Sequence, residues 1–411
     1  MIQNKVLFIG RVWPEPHSSA AGWRILQLID FFLKRKCEVI FASAAAKTDF
    51  SFDLNSKGIK EAAIELNQSS FNDFVRELQP KIVVYDRYIT EEQFGWRFRQ
   101  ECPEAVEILD TEDLHFLRFA RETGFKNGCE IKLINEITYR EIASVLRCDL
   151  SLIISEFELN LLKDRFKLSP ALLFYLPLFQ NKTEIVQTEI KSFEQRKDFV
   201  FIGNFLHEPN RQTVLKLKKE IWPKLKKEIP DAVLNIYGAY PSQEIMQLHQ
   251  PKDGFLVHGR AENALEVISN ARILLAPIPF GAGVKGKFIE AMQTGTPLVT
   301  STVGAEAMFE NEIPGIVEDD LNQLILKTKA LYSDKEIWLK AQKAGLETAN
   351  IQLNKDSFEN KLEQSISAIL TATEKHRSQN FFGQILKKDF QNALKFMSLW
   401  IEEKAKNNQN G

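Results

Sequence analysis

The chain has 411 residues, with 53 Lys and Arg against 55 Asp and Glu and a formal net charge of −2. At roughly 100–200 residues per domain that length predicts two domains, or three, and 44% hydrophobic with 26% charged residues describes an ordinary soluble chain with real cores. The balanced charge gives no global field for gripping a polyanion, so no nucleic-acid partner is expected. No apolar run approaches the ~18 residues that span a bilayer. The start, with Val6–Ile9 broken at once by Gly10-Arg11, is too short for a signal peptide. Cys37, Cys102, Cys129 and Cys148 are far apart, with no CxxC pair, which indicates neither a disulfide framework nor a zinc knuckle. These features predict a cytoplasmic, thiol-containing chain with no bound metal.

Short apolar runs then follow one another along the chain. Val6–Ile9, Cys37–Ser43, Lys81–Asp86, Val106–Leu109 and Leu150–Ile154 are too brief for buried helices and are bounded by polar or Gly and Pro residues, as strands buried on both faces of a parallel sheet are. Between them, Ala20–Lys36 places Ile25, Leu28, Ile29 and Phe32 on one helical stripe and ends in three basic residues. The segment 181–198, rich in Lys, Glu, Gln and Thr, breaks this rhythm and is expected to be a linker. Afterwards the alternation resumes with Phe199–Ile202, Val233–Tyr237, Phe255–Val257, Ile273–Ala276, Leu298–Thr300 and Gly315–Val317. The expected fold class is α/β, with two doubly wound Rossmann-like domains, 1–180 and 199–370, facing across a cleft, and a helical tail 371–411. In such sheets ligands bind at the carboxyl ends of the strands.

Two clusters carry chemistry. Asp110-Thr111-Glu112-Asp113-Leu114-His115 follows a strand and could hold a metal, supply a general base or cap a helix. No second His or Asp group accompanies it at metal-ligand spacing. Thr111 or Asp113 as a cap and His115 facing the cleft both stay open. The second cluster, Phe280 to Met292, contains Gly281, Gly283 and Gly286 in GxGxxG spacing. It lies late in the second domain and no acidic residue closes the next strand, so dinucleotide binding is disfavoured. What remains is a glycine loop at a helix start that suits a phosphate, with Lys287 and Glu290 three residues apart on one face. That pair offers a cation for phosphate and a carboxylate for two hydroxyls, or else an ordinary surface salt bridge. His249 and His376 are read as surface residues.

The run from Gly283 to Gly304, with Lys287, Glu290-Ala291, Gly295, Pro297 and Val303-Gly304, resembles the donor-site signature of the group 1 glycosyltransferases (glycosyltransferase family 4). Phe201-Ile202-Gly203-Asn204 with Pro209-Asn210, His258-Gly259, Leu275-Ala276-Pro277, Glu141 with Arg147-Cys148-Asp149, and Ser155-Glu156 extend the resemblance over most of the chain. It implies a GT-B fold, retention of anomeric configuration, no essential metal, and no cofactor other than a nucleotide-sugar co-substrate. It also implies that Lys287 holds the donor diphosphate, that Glu290 takes the ribose hydroxyls, and that the loop Gly281–Val284, followed by Lys285, lies against the transferred sugar.

Members commonly carry two Glu seven residues apart, and the first falls here on Ala282. Many place Arg and Lys in the first loop of the second domain, where this chain has Gly203-Asn204, with Arg211 the substitute cation. The resemblance makes the first βα loop, with Arg11, His17 and Gly22, the acceptor or phosphate region; His115, read from its place in the cleft, is the catalytic candidate expected to touch sugar or acceptor. The expected acceptor is a glycan, a lipid-linked or a protein substrate. A donor-binding pseudoenzyme and a GT-B sugar-nucleotide epimerase are the rival readings. The amphipathic, basic tail from Phe381 to Lys406 is expected to pack back on the N-terminal domain or to touch a membrane surface at the inner face.

Overall fold

A computed structural model describes residues 4–178, 190–309, 312–352 and 355–409. The first sheet contains β1 (Lys5–Gly10), β2 (Glu38–Ser43), β3 (Lys60–Ala63), β4 (Ile82–Asp86), β5 (Val106–Asp110), β6 (Leu150–Ile153) and β7 (Leu173–Tyr175), in the order β3-β2-β1-β4-β5-β6-β7. The second contains β8 (Lys197–Ile202), β9 (Leu234–Tyr237), β10 (Phe255–Gly259), β11 (Ala271–Ala276), β12 (Leu298–Thr300) and β13 (Gly315–Val317), in the order β10-β9-β8-β11-β12-β13. All the pairings are parallel. The fold is thus α/β with two doubly wound sheets, as expected from the alternation of apolar runs.

Both faces of the first sheet are covered. The helix Ala20–Lys34 supplies Ile25, Leu28, Ile29 and Phe32 to one face, and helices Arg87–Glu101, His115–Asn127 and Glu136–Arg147 cover the other. Two strands were not anticipated. β3 is a half-exposed edge reading Lys-Glu-Ala-Ala, and β7 is only three residues long, so neither carries the apolar run that marks a central strand.

The tail begins earlier than expected. Leu362, Ile366 and Ile369, on the helix Lys355–Thr371, already belong to the first domain's core. The expected linker 181–198 falls largely outside the described residues. Its described end is structural: Lys197 opens β8, and the buried Arg196 bonds Thr296 and the Thr294 carbonyl.

In each sheet the strand order reverses once, between β1 and β4 and between β8 and β11. The loops leaving these four strands diverge and open a crevice at each sheet's carboxyl edge. The two crevices face each other.

Candidate active site

A cleft of about 950 Å³ lies between them. Its second-domain wall begins where β8 runs out into Gly203 and Asn204, both lining the cleft. A side chain at Gly203 would start 2.7 Å from the Asn210 amide carbon, so the glycine lets Asn210 turn inward. The Asn210 amide nitrogen donates to the Asn204 carbonyl at 2.8 Å, which frees its oxygen to accept from Lys287 Nζ at 2.6 Å. Asn204 folds its own side chain onto the Leu206 amide at 2.8 Å. Lys287 also lies 4.3 Å above the Phe201 ring.

Lys287 and Glu290 belong to the helix Gly286–Gln293 and both line the cleft, half-buried. Burial pushes the Lys287 ammonium down to about 7, with Glu290 opposing and Lys285 adding to the shift. Burial likewise lifts the Glu290 carboxyl to about 7, against the pull of Lys287. The described residues show no ion pair between the two, because Lys287 turns to Asn210. The exposed salt bridge that spacing allowed is not what forms.

The glycine loop is clamped to the first domain. Gly283 has φ 64°, and a side chain there would start 2.8 Å from the Asp113 Cβ, so the position demands glycine twice over. The Gly283 amide donates to Glu158 Oε1 at 2.7 Å, and Lys285 Nζ donates to the Gly283 carbonyl at 2.8 Å. Burial, with Asp113 adding, raises the Glu158 carboxyl to about 8. Arg121 donates to the Gly281 carbonyl at 2.8 Å and holds Glu306 at 2.8 and 2.7 Å. The Ala282 methyl is buried in the first domain's core cluster, where a carboxylate in its place would be desolvated. Val284 is half-buried and faces the cleft.

The first-domain wall is built from the ends of β1, β4 and β5. The Arg11 amide donates to Asp86 Oδ2 at 3.1 Å, and Arg87 pairs with the same carboxylate at 2.8 Å. Asp110 is bonded by the buried Arg24 at 2.8 Å, and Asp113 by Arg118. Burial alone would raise the Asp113 carboxyl, but Arg118 and His115 hold it well below the ordinary range. His115 lines the cleft with its Nδ1 3.2 Å from the Asp113 carbonyl and 3.4 Å from Glu141 Oε1, edge-on to Tyr88. Arg11 and His17 line the same wall with exposed side chains.

Several sequence-based assignments need correction. Arg211 does not line the cleft: its guanidinium is taken by Glu208 at 3.1 Å and Glu244 at 2.5 Å on the outer side of its helix. Gly22 does not line it either; a side chain there would meet the Glu15 backbone, so the glycine serves packing, while Ala20 and Ala21 face the cleft. Neither Thr111 nor Asp113 caps the helix His115–Asn127. Glu158 accepts the Leu114 amide at 3.2 Å, and Glu141 accepts those of His115 and Phe116 at 3.1 and 2.9 Å. His376 is not a free surface residue, since its Nε2 lies 2.8 Å from the Asp149 carbonyl.

Spacing gave no hint of Asn210 as partner of Lys287, nor of Glu158, Arg118 and Arg121 beside the glycine loop. Each works across at least one domain or element boundary. A Ser-x-x-Glu signature at Ser155 marks Glu158 as part of a helix start, but its reach to Gly283 is tertiary.

Residues 196–334 match the family model described as "Glycosyl transferases group 1". No curated protein matches the chain. Among solved structures, sucrose-phosphate synthase from Thermosynechococcus elongatus superposes with a TM-score of 0.65 at 15% identity, over 90% of this chain and 100% of that one. Anabaena HepE, solved with UDP and glucose, gives 0.64 at 12% identity over 89% and 100%. WaaG, a glycosyltransferase involved in lipopolysaccharide biosynthesis, gives 0.62 at 12% over 87% and 98%. The architecture is therefore the GT-B fold of these glycosyltransferases, and the match to the group 1 model lies in its second half.

Proposed function

We propose that the chain is a retaining glycosyltransferase of the family 4 type. It would transfer a sugar from a nucleotide-diphosphate donor to a glycan, lipid-linked or protein acceptor without a metal ion. The observation that carries this reading is the placement of Lys287 and Glu290. They stand one helical turn apart on the cleft wall, at the carboxyl edge of the second sheet, opposite the His115 turn of the first. HepE, of like fold, holds UDP and glucose, which makes UDP-sugars the first donors to test.

In this mechanism Lys287, at the start of the helix Gly286–Gln293, stabilises the charge that develops on the departing diphosphate. Lys287 thus supplies the cation that a metal provides elsewhere. The acceptor oxygen bonds to the anomeric carbon on the face from which the phosphate oxygen leaves, and the acceptor's hydroxyl proton passes to that oxygen. Glu290 accepts hydrogen bonds from the ribose hydroxyls. His115, fixed by Asp113, Glu141 and Tyr88, faces the transferred sugar or acceptor.

The tail suits a peripheral membrane contact. The helix Phe381–Gln409 is anchored by polar groups: Lys387 to Glu107 at 3.2 Å, Arg97 to Glu402 at 2.9 Å, and Arg377, just before it, to Asp149 at 2.7 Å. Phe381, Phe382, Phe396, Met397 and Trp400 are left exposed, with Lys388 and Lys404 among them, an arrangement suited to an anionic lipid surface.

The experiment is a turnover screen of UDP-, GDP- and ADP-sugars with and without EDTA, with the product anomer assigned by NMR. An inverted anomer, or activity that EDTA abolishes and Mn²⁺ restores, would contradict the mechanism. Epimerised donor in the absence of any acceptor would favour the epimerase.

A further inference from the structure

The turn after β5 ties down its carboxylates with one exception. Asp110 is bonded by Arg24 and Asp113 by Arg118, and Thr111 is fixed through its hydroxyl to the Leu152 carbonyl at 3.0 Å. Glu112, between them, is 8% exposed, and its buried Oε1 has no hydrogen-bond partner among the described residues. Buried polar atoms without partners are rare in native proteins, because each forfeits its hydration.

Glu112 also has φ 63°, a left-handed conformation that disfavours a side chain and recurs where a site constrains the backbone. The residue lines the cleft beside Arg87 and His115. Its carbonyl oxygen lies 3.6 Å from where a Gly283 side chain would start, which places Glu112 across from the glycine loop.

We propose that Glu112 is an acceptor-reading residue: its carboxyl takes a hydrogen bond from a hydroxyl of a carbohydrate acceptor, next to the hydroxyl that attacks. The proposal rests on the transferase reading above and deepens it, by naming a polyhydroxyl acceptor. The group suits a neutral hydroxyl. Burial, with Asp110 adding, lifts the Glu112 carboxyl to about 8, so near neutrality it carries a proton and can both donate and accept. The nearby charges are already engaged, Arg87 with Asp86 and Arg118 with Asp113.

Two variants test it. Glu112→Gln keeps the shape and, like the protonated acid, a donor and an acceptor; Glu112→Gly removes the group and relieves the left-handed backbone. With an acceptor selected by turnover from a panel of methyl glycosides, both variants should leave UDP affinity within twofold; Glu112→Gln should hold the acceptor KM within threefold, and Glu112→Gly should raise it at least tenfold. The matching deoxy-glycoside should lose little further in that variant. In thermal melts of the free protein Glu112→Gly should raise the midpoint, because a spare, strained carboxyl does not support the fold. An unchanged acceptor KM in Glu112→Gly, or a lowered midpoint in both variants, overturns the proposal. Should UDP bind while no glycoside of the panel is turned over, the carbohydrate-acceptor proposal fails, whereas the transferase reading, which also admits lipid-linked and protein acceptors, falls only if the donor screen gives no turnover.

Discussion

Lys287→Met separates the needs of donor binding from those of folding. In the free protein the Lys287 ammonium sits half-buried with its pKa down to about 7, against 10.4 for a solvated lysine. Between those values the unfolded chain binds the proton and the folded chain does not, so folding forgoes protonation there and this residue's contribution to stability rises with pH from about 7 to 10. At pH 7 the same difference makes Lys287 destabilising by at most ~4 kcal/mol, since the side chain keeps some water and its bond to Asn210. Methionine has similar length and no charge, so the free variant should melt slightly higher than the parent.

Donor affinity should move the other way. One or two charge-assisted bonds to a diphosphate, together ~3 kcal/mol, correspond to about 100-fold in Kd. Calorimetric titration with UDP across pH 6–9 is the assay. The parent Kd should rise about tenfold per unit above pH 7, because binding then requires proton uptake by Lys287. The variant's weaker Kd should not follow that rise. UDP affinity within threefold of the parent, or a midpoint lowered by more than about 5 °C, would refute the reasoning.

Glu290→Gln should weaken UDP binding about tenfold or more, through loss of charge-assisted bonds to the ribose. A 2′,3′-dideoxyribose nucleotide should lose little further in that variant, and full additivity of the two losses would remove Glu290 from the ribose. Arg121→Ala breaks the bonds to Gly281 and Glu306 that join the domains; the free protein should expand in solution scattering, and an unchanged radius of gyration would count against the clamp. Exchanging Phe396 and Trp400 for Ser should reduce cosedimentation with vesicles containing anionic lipid at least fivefold while leaving the midpoint within 2 °C. Equal binding of parent and variant would end the membrane reading.

The sequence by itself determined the layering. Parallel strands buried on both faces need largely apolar runs, and the runs at Val106–Leu109 or Ile273–Ala276 are visible without any partner. β3 and β7 were invisible because an edge strand and a three-residue strand bury too little to leave such a run. The Lys287 and Glu290 pair was equally legible, since helical spacing alone puts them on one face.

What the tertiary structure decided is where each charge goes. Arg211 looked available in sequence, yet Glu244, brought close by the fold, takes it away from the cleft. Glu158 reads as part of a helix start, yet it holds the Gly283 amide of the other domain. The tail reads as a helix that either packs back on the first domain or touches a membrane, and the fold ties it to that domain through Lys387 and Glu402 while leaving Phe396 and Trp400 outside. The physical reason is range. Periodicity and spacing record which face of an element is buried, whereas the partner of a hydrogen-bonding or charged group lies within ~3 Å in space and at any distance along the chain.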